Sequence, residues 1–408
     1  MQLQQHKWLR FSLFNLALVA LLGVLMRYKI GFEFPYFDQK HIQHAHSHFA
    51  FSGWIAHTIF VLMVVFIQQY IPSNAVRKYK VAIIINLICA YGMLISFAIQ
   101  GYGAVSIFFS TAAILIAYLF SYYYFKDLKT VEKRHPSINW FKAALLFNII
   151  SSLGTFALAY MMATKHIHQN AYLTSVYYFL HFQYNGFFFF ACMGLIYSQL
   201  YRYLPSLSTS QTIFRLFFIA CIPAYFLSTL WLNLPVGLYV IVVLGAVLQF
   251  WAWVKFVNII RQNISLLKNK IQPIWQNLLL LVGIALTIKL ALQLGSTIPA
   301  ISKLAFGFRP IVIAYLHLVL LAVISVYLLV HMFCFDAIIV HKNSIKALLI
   351  FVFGVFLNEL ILMVQGVFSF SYTVIPYANE ALLAAAIMMF GSLVALLFFQ
   401  TAKNQLYD

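Results

Sequence analysis

Residues 41–54 read HIQHAHSHFAFSGW, placing His41, His44, His46 and His48 within eight positions before the chain turns apolar. A neutral imidazole can ligate a metal, hold a hydrogen bond or carry a proton near neutral pH. Inside a membrane helix such a group marks a functional site by default. Two later histidines repeat the local pattern. Gly53 follows His48 by five residues (HFAFSG), Gly186 follows His181 by five (HFQYNG), and Ala322 follows His317 by five (HLVLLA). The histidines are 133 and 136 residues apart, and Asn15 and Asn148 each lie 33 residues before theirs.

The elements that must carry these histidines are long apolar runs. The 408-residue chain is 64% hydrophobic and 8% charged, far below the charge that soluble domains carry. A run of about 20 apolar residues crosses the hydrocarbon as a helix, and twelve such runs are visible. They lie at about 9–31, 42–70, 79–101, 103–125, 140–164, 171–201, 211–231, 235–260, 273–293, 310–333, 345–368 and 377–400. None alternates polar and apolar residues as a lipid-facing strand would, so helices must satisfy the backbone. The expected fold is an all-α polytopic membrane protein, read as a single membrane domain over 1–408. Its internal repeats fall at about 1–138, 139–271 and 272–408, three pseudo-equivalent groups of four helices. Helices 2, 6 and 10 then hold His48, His181 and His317 at equivalent depth.

The net charge of +18 does not point to nucleic acid. With the N-terminus inside, most of the 26 Lys and Arg fall in inner segments, among them Arg77, Lys78, Lys80, Lys126, Lys129, Lys133 and Arg134. That is the positive-inside bias. It predicts a multi-pass protein of the cell inner (plasma) membrane with both termini cytoplasmic, partnered by the lipid bilayer. The first run is too long for a cleaved signal and reads as a retained signal-anchor helix. Four cysteines lie in separate runs with no CxxC or CxxCH, so neither a redox pair nor covalent haem attachment is expected.

A non-covalently held haem b needs an imidazole from each of two facing helices, apolar walls and polar partners for its propionates. Aromatics at 18% of the chain can supply the walls. At 100° per residue His46 and His48 point to nearly opposite faces, so a regular helix sends only one of them into a given site. His41 and His44 read as entrance residues. Arg309, Lys289 and Lys303 lie on the outer side near helices 9 and 10 and could meet propionates or lipid headgroups.

These residues resemble those of the haem–copper oxidases, specifically subunit I and its nitric oxide reductase relatives. HSHFAFSGW looks like the helix-2 ligand motif, with His46 or His48 as the ligand. HFQYNGFF at 181–188 is similar to the helix-6 motif of the nitric oxide reductases. YLHLVLLAVIS at 315–325 looks like the helix-10 motif, with His317 in the low-spin position. The resemblance implies a low-spin haem between helices 2 and 10. It implies copper or non-haem iron at His181, and cytochrome c or another redox subunit as partner. Three positions depart from the family. Tyr315 stands where the high-spin haem ligand belongs, Asn185 replaces a Glu, and 211–231 holds no histidine. What remains of the ligand set is the low-spin pair.

The function expected is therefore electron transfer or respiratory chemistry on a small gas such as O2 or NO. Two alternatives stay open. One is an active terminal oxidase or nitric oxide reductase with an atypical metal site. The other is a cofactor-free structural or assembly subunit, or a transporter. Glu359, in FLNELIL of helix 11, is a candidate proton relay, with simple pairing as the other reading. His331, about 21 Å below His317, could serve a second haem, but helix 2 offers no histidine at the matching spacing.

Overall fold

A computed structural model describes the backbone of residues 3–204, 211–335 and 337–401, and all their side chains except those of 303–306 and 401; Lys303 lies outside the described side chains. The described residues are helical, with no strand. The spanning helices are α1 (Gln5–Gly31), α2 (Gln39–Ile67), α3 (Ser73–Gln100), α4 (Ala104–Thr130), α5 (Ser137–Thr164) and α6 (Gln169–Tyr203). After α7 (Thr212–Cys221) come α8 (Val236–Gln262), α9 (Pro273–Gly295), α10 (Arg309–Cys334), α11 (Lys342–Ser369) and α12 (Ala378–Gln400). Among the described residues eleven helices are long and apolar enough to cross a membrane. A twelfth span arises if α7 is counted with Pro223–Thr229, which follows it at a 43° bend. The protein is thus a polytopic helical membrane protein. The run at 211–231 is apolar throughout, but Pro223 has no N–H to continue the hydrogen-bond ladder and its ring crowds the preceding turn.

The chain divides into two compact units, Met1–Tyr124 with Ser325–Asp408, and Phe125–Ile324. In the first, α1 packs on α12 and α2, α2 on α3, and α11 on α12. Tyr124 donates its hydroxyl to the Met63 carbonyl (3.0 Å), and the Trp54 indole N–H donates to Ser325 Oγ (2.8 Å). In the second, α5 packs on α6, α7 on α8, and α8 on α9. The boundary at Ser325 falls inside the third sequence repeat.

Among the described residues three of the spanning helices contain a π-helical segment. The backbone winds as π-helix over Ala50–Ala56 in α2, Phe182–Phe188 in α6 and Leu318–Ser325 in α10. Such winding is rare, and it gathers at functional sites. Each segment begins one or two residues after His48, His181 or His317, and each contains the small residue of the repeat, Gly53, Gly186 or Ala322.

Loop chemistry fixes where the helices begin. The Asp38 carboxylate caps α2 by accepting from the Lys40 and His41 N–H groups at 2.8 and 3.0 Å, and the His41 N–H holds its pKa below the usual carboxylate range. Before α5, His135 is 7% exposed, lies edge-on to Tyr201 with ring centroids 4.7 Å apart, and accepts the Ser137 N–H at Nδ1. Burial pushes its pKa down from 6.5 to about 4, with Arg202 acting in the same direction and Glu132 against it. The unfolded chain then binds a proton that the folded chain does not between those values. Stability is full above pH 6.5 and falls as pH drops toward 4. Unfolding in detergent across this range should show a slope that His135→Gln reduces by up to one proton. An unchanged slope would show that His135 does not titrate in this way.

Candidate functional site

The α2 histidines separate onto two neighbours. His41, His44 and His48 recur at the spacing of one helical stripe, and that stripe meets the end of α3. The His44 ring stands edge-on to Tyr102 at 4.7 Å, and the His48 ring stacks on Phe97 at 4.2 Å. His48 Nε2 also hydrogen-bonds the Tyr102 hydroxyl at 3.0 Å. Gly101 has φ +61°, and a Cβ there would lie 2.6 Å from the His41 ring, so the turn beneath the stripe requires glycine. His46 faces the other way, toward α1. Its Nδ1 lies 3.1 Å from the Val19 carbonyl, and its Cε1 lies 3.8 Å from where a Cβ on Gly23 would stand. A carbonyl can only accept, so Nδ1 carries the proton and the ring lone pair sits on Nε2.

His317 closes the α-helical start of α10, and its Nδ1 lies 2.9 Å from the Ile313 carbonyl one turn earlier. The same reasoning puts the proton on Nδ1 and the lone pair on Nε2. Arg309 begins this helix and is exposed. Tyr315, two residues before His317, lies with its ring 6.4 Å from that of Tyr184.

His181 is built differently. It is fully buried, its Nδ1 accepts from Asn185 Nδ2 at 3.1 Å, and its Nε2 donates to the Cys221 carbonyl at 2.9 Å. Both ring nitrogens are engaged. The Cys221 carbonyl can only accept, so it fixes the proton on Nε2, and the Asn185 amide, four residues on and on the same helix face, donates to Nδ1. Lys289 of α9 is 5% exposed and sits within electrostatic reach of Cys221 and His181, so it does not extend to the headgroups. Among the described residues no three His, Cys, Asp or Glu side chains are grouped to hold a metal ion. The surroundings of His181 therefore do not fit the copper or non-haem iron site that the sequence motif suggests.

Glu359 is half-buried in α11 and accepts from the Asn358 amide at 3.1 Å. Deeper in α2, His57 is fully buried, with its ring 6.3 Å from that of Trp8. In α10, His331 is buried and bonded at Nδ1 to the Tyr327 hydroxyl at 3.2 Å.

The asparagines that anticipate two of the histidines brace the π segments. Asn15 donates to the Gly53 carbonyl and accepts the Tyr91 hydroxyl at 2.6 Å. Asn148 accepts from Gln183, inside the second segment, at 2.8 Å. Asn15→Ala leaves a buried carbonyl and a hydroxyl without this partner, at a cost of about 1–3 kcal/mol. Denaturation by sodium dodecyl sulfate in mixed micelles should register that loss. No change in the midpoint would mean that the amide bears no load there. The sequence marked Asn15 and Asn148 by their shared spacing but gave no sign of what they hold.

No model of a known protein family matches the chain, and no curated protein matches it.

Proposed function

We propose that this chain is an integral membrane b-type haem protein with a fold like subunit I of the haem–copper oxidases. Its twelve spans would form three pseudo-equivalent four-helix groups, with both termini on the cytoplasmic side of the plasma membrane. One low-spin haem would be held by His317 and one histidine of α2. His46 and His48 are both candidates for the second ligand, and the tautomer set by the Val19 carbonyl puts His46 first.

The observation that carries this reading is shared by His46 and His317. Each has Nδ1 against a main-chain carbonyl, which sets the neutral tautomer with its lone pair on Nε2. Haem iron needs an imidazole in that state, and metal-ligating histidines are commonly oriented by such a second bond. The π segment that follows each repeat histidine adds support for the threefold grouping.

When bound, the haem would supply one-electron redox chemistry, with a potential set by axial ligands and burial. The chain's own part is to hold the imidazoles in the right tautomer. It also walls the site with apolar groups and offers Arg309 to an anionic propionate. An electron-donating partner such as cytochrome c or another redox subunit would complete the role. Oxidised and dithionite-reduced spectra, with pyridine haemochrome quantitation on protein from haem-replete cells, test the proposal. A sharp reduced α-band with one haem per chain is the expected result. A colourless protein would rule it out.

A further inference from the structure

A groove of about 690 Å³ opens on the first unit between α1 and α3. Cavities of roughly 300–1,000 Å³ take small ligands. Its walls are apolar: Trp8 and Phe11 on α1, and Ile84, Leu87 and Ile88 on α3. Phe11, Ile84 and Ile88 are 43, 46 and 57% exposed, so the walls face the surroundings of the bundle, which for spanning helices is lipid. One end is closed by Tyr91, whose hydroxyl is held by Asn15. The other end carries Gln4, Lys7 and Lys80.

On α3 the lining residues Lys80, Ile84, Leu87, Ile88 and Tyr91 fall on one stripe about 16 Å long at 1.5 Å per residue. Polarity runs along that stripe, with a cation at the helix end and apolar groups beyond it. On α1, Lys7, Trp8 and Phe11 repeat this order. Both lysines therefore sit near the start of their helices, at headgroup level, and the apolar walls run toward the membrane interior. Trp8 lies between the two regions, where indole is favoured in membranes.

We infer that this groove is a binding site for one anionic phospholipid, its phosphate held by Lys7 and Lys80 and an acyl chain laid against Trp8, Phe11, Ile84 and Ile88. A zwitterionic lipid could fill the apolar part, but its cationic headgroup group would compete with the two ammonium groups for the phosphate. Clustered Lys and Arg beside a spanning helix recognise anionic headgroups by charge. The site is independent of the haem reading, since it uses none of the candidate ligands.

Trp8 provides the readout. The full chain is reconstituted in phosphatidylcholine vesicles containing a minor fraction of either brominated phosphatidylglycerol or brominated phosphatidylcholine, and the emission lost in Trp8→Phe is taken as the Trp8 signal. Quenching of that signal should be at least about threefold stronger with brominated phosphatidylglycerol. The excess should vanish in Lys7→Gln/Lys80→Gln and persist when inorganic phosphate is added. Equal quenching by the two lipids would overturn the site, as would an excess that survives the double substitution. Displacement by free phosphate would make it a phosphate site instead and overturn the lipid assignment. Native mass spectrometry of the wild type from mixed vesicles gives a second reading that needs no variant. Retained phosphatidylglycerol supports the proposal, and retention of phosphatidylcholine alone overturns it.

Discussion

Replacing His317 with alanine is expected to abolish the reduced α-band and lower bound haem at least about tenfold, because the proposed haem would lose one of the two imidazoles that hold it. His46→Ala should do the same. His48→Ala should keep the band, since its Nε2 is bound to Tyr102 and its ring stacks on Phe97. That variant should cost only the net worth of one hydrogen bond, about 0.5–1.5 kcal/mol. Visible spectra of the three purified variants separate the possibilities. Loss in His48→Ala with retention in His46→Ala would move the α2 ligand to His48, the position favoured by the repeat register. A band that survives His317→Ala would remove α10 from the ligand set. His181→Ala makes a useful fourth variant. It should leave the spectrum alone while costing stability, because Asn185 and the Cys221 carbonyl lose their partner.

The largest stability effect is expected at Gly154, where α5 meets α6. A Cβ at this position would lie 2.6 Å from the Ser175 carbonyl oxygen and 2.9 Å from the Phe179 nitrogen. Both are backbone atoms, so relief requires the two helices to separate. Small residues allow this kind of close approach between membrane helices. Gly154→Val should destabilise by about 1–3 kcal/mol or more, the usual range for overpacking. Gly391 in α12 is the matched control, with nothing within 4 Å of its added Cβ. Gly391→Ala should be neutral or gain up to about 1 kcal/mol from helix propensity. Thermal unfolding in one detergent compares the pair, and equal midpoints would show that the α5–α6 contact yields freely.

Run length and hydropathy made the spans legible, since lipid leaves a helix few ways to be wrong about its length. Each of the twelve apolar runs matches a helix or, at 211–231, a helix pair bent at Pro223. The divergence of His46 and His48 was legible too, from two residues at 100° each. What the residues did not reveal is the winding beyond them. A π segment takes more residues per turn, so counting faces at 3.6 from His46 to His57, across Ala50–Ala56, loses register. The role of Asn185 was also hidden, because comparison with a family Glu presented it as a loss. Its amide holds His181 in place.

The three π segments also bear on the geometry of their helices. A helix wound one residue wider per hydrogen-bonded ring turns less per residue than an α-helix. In α2, α6 and α10 that wider winding lies just beyond the histidine of the repeat. The residues beyond each segment are therefore rotated relative to a regular α-helix, and the direction of His46, His181 or His317 is set separately from that of the rest of its span.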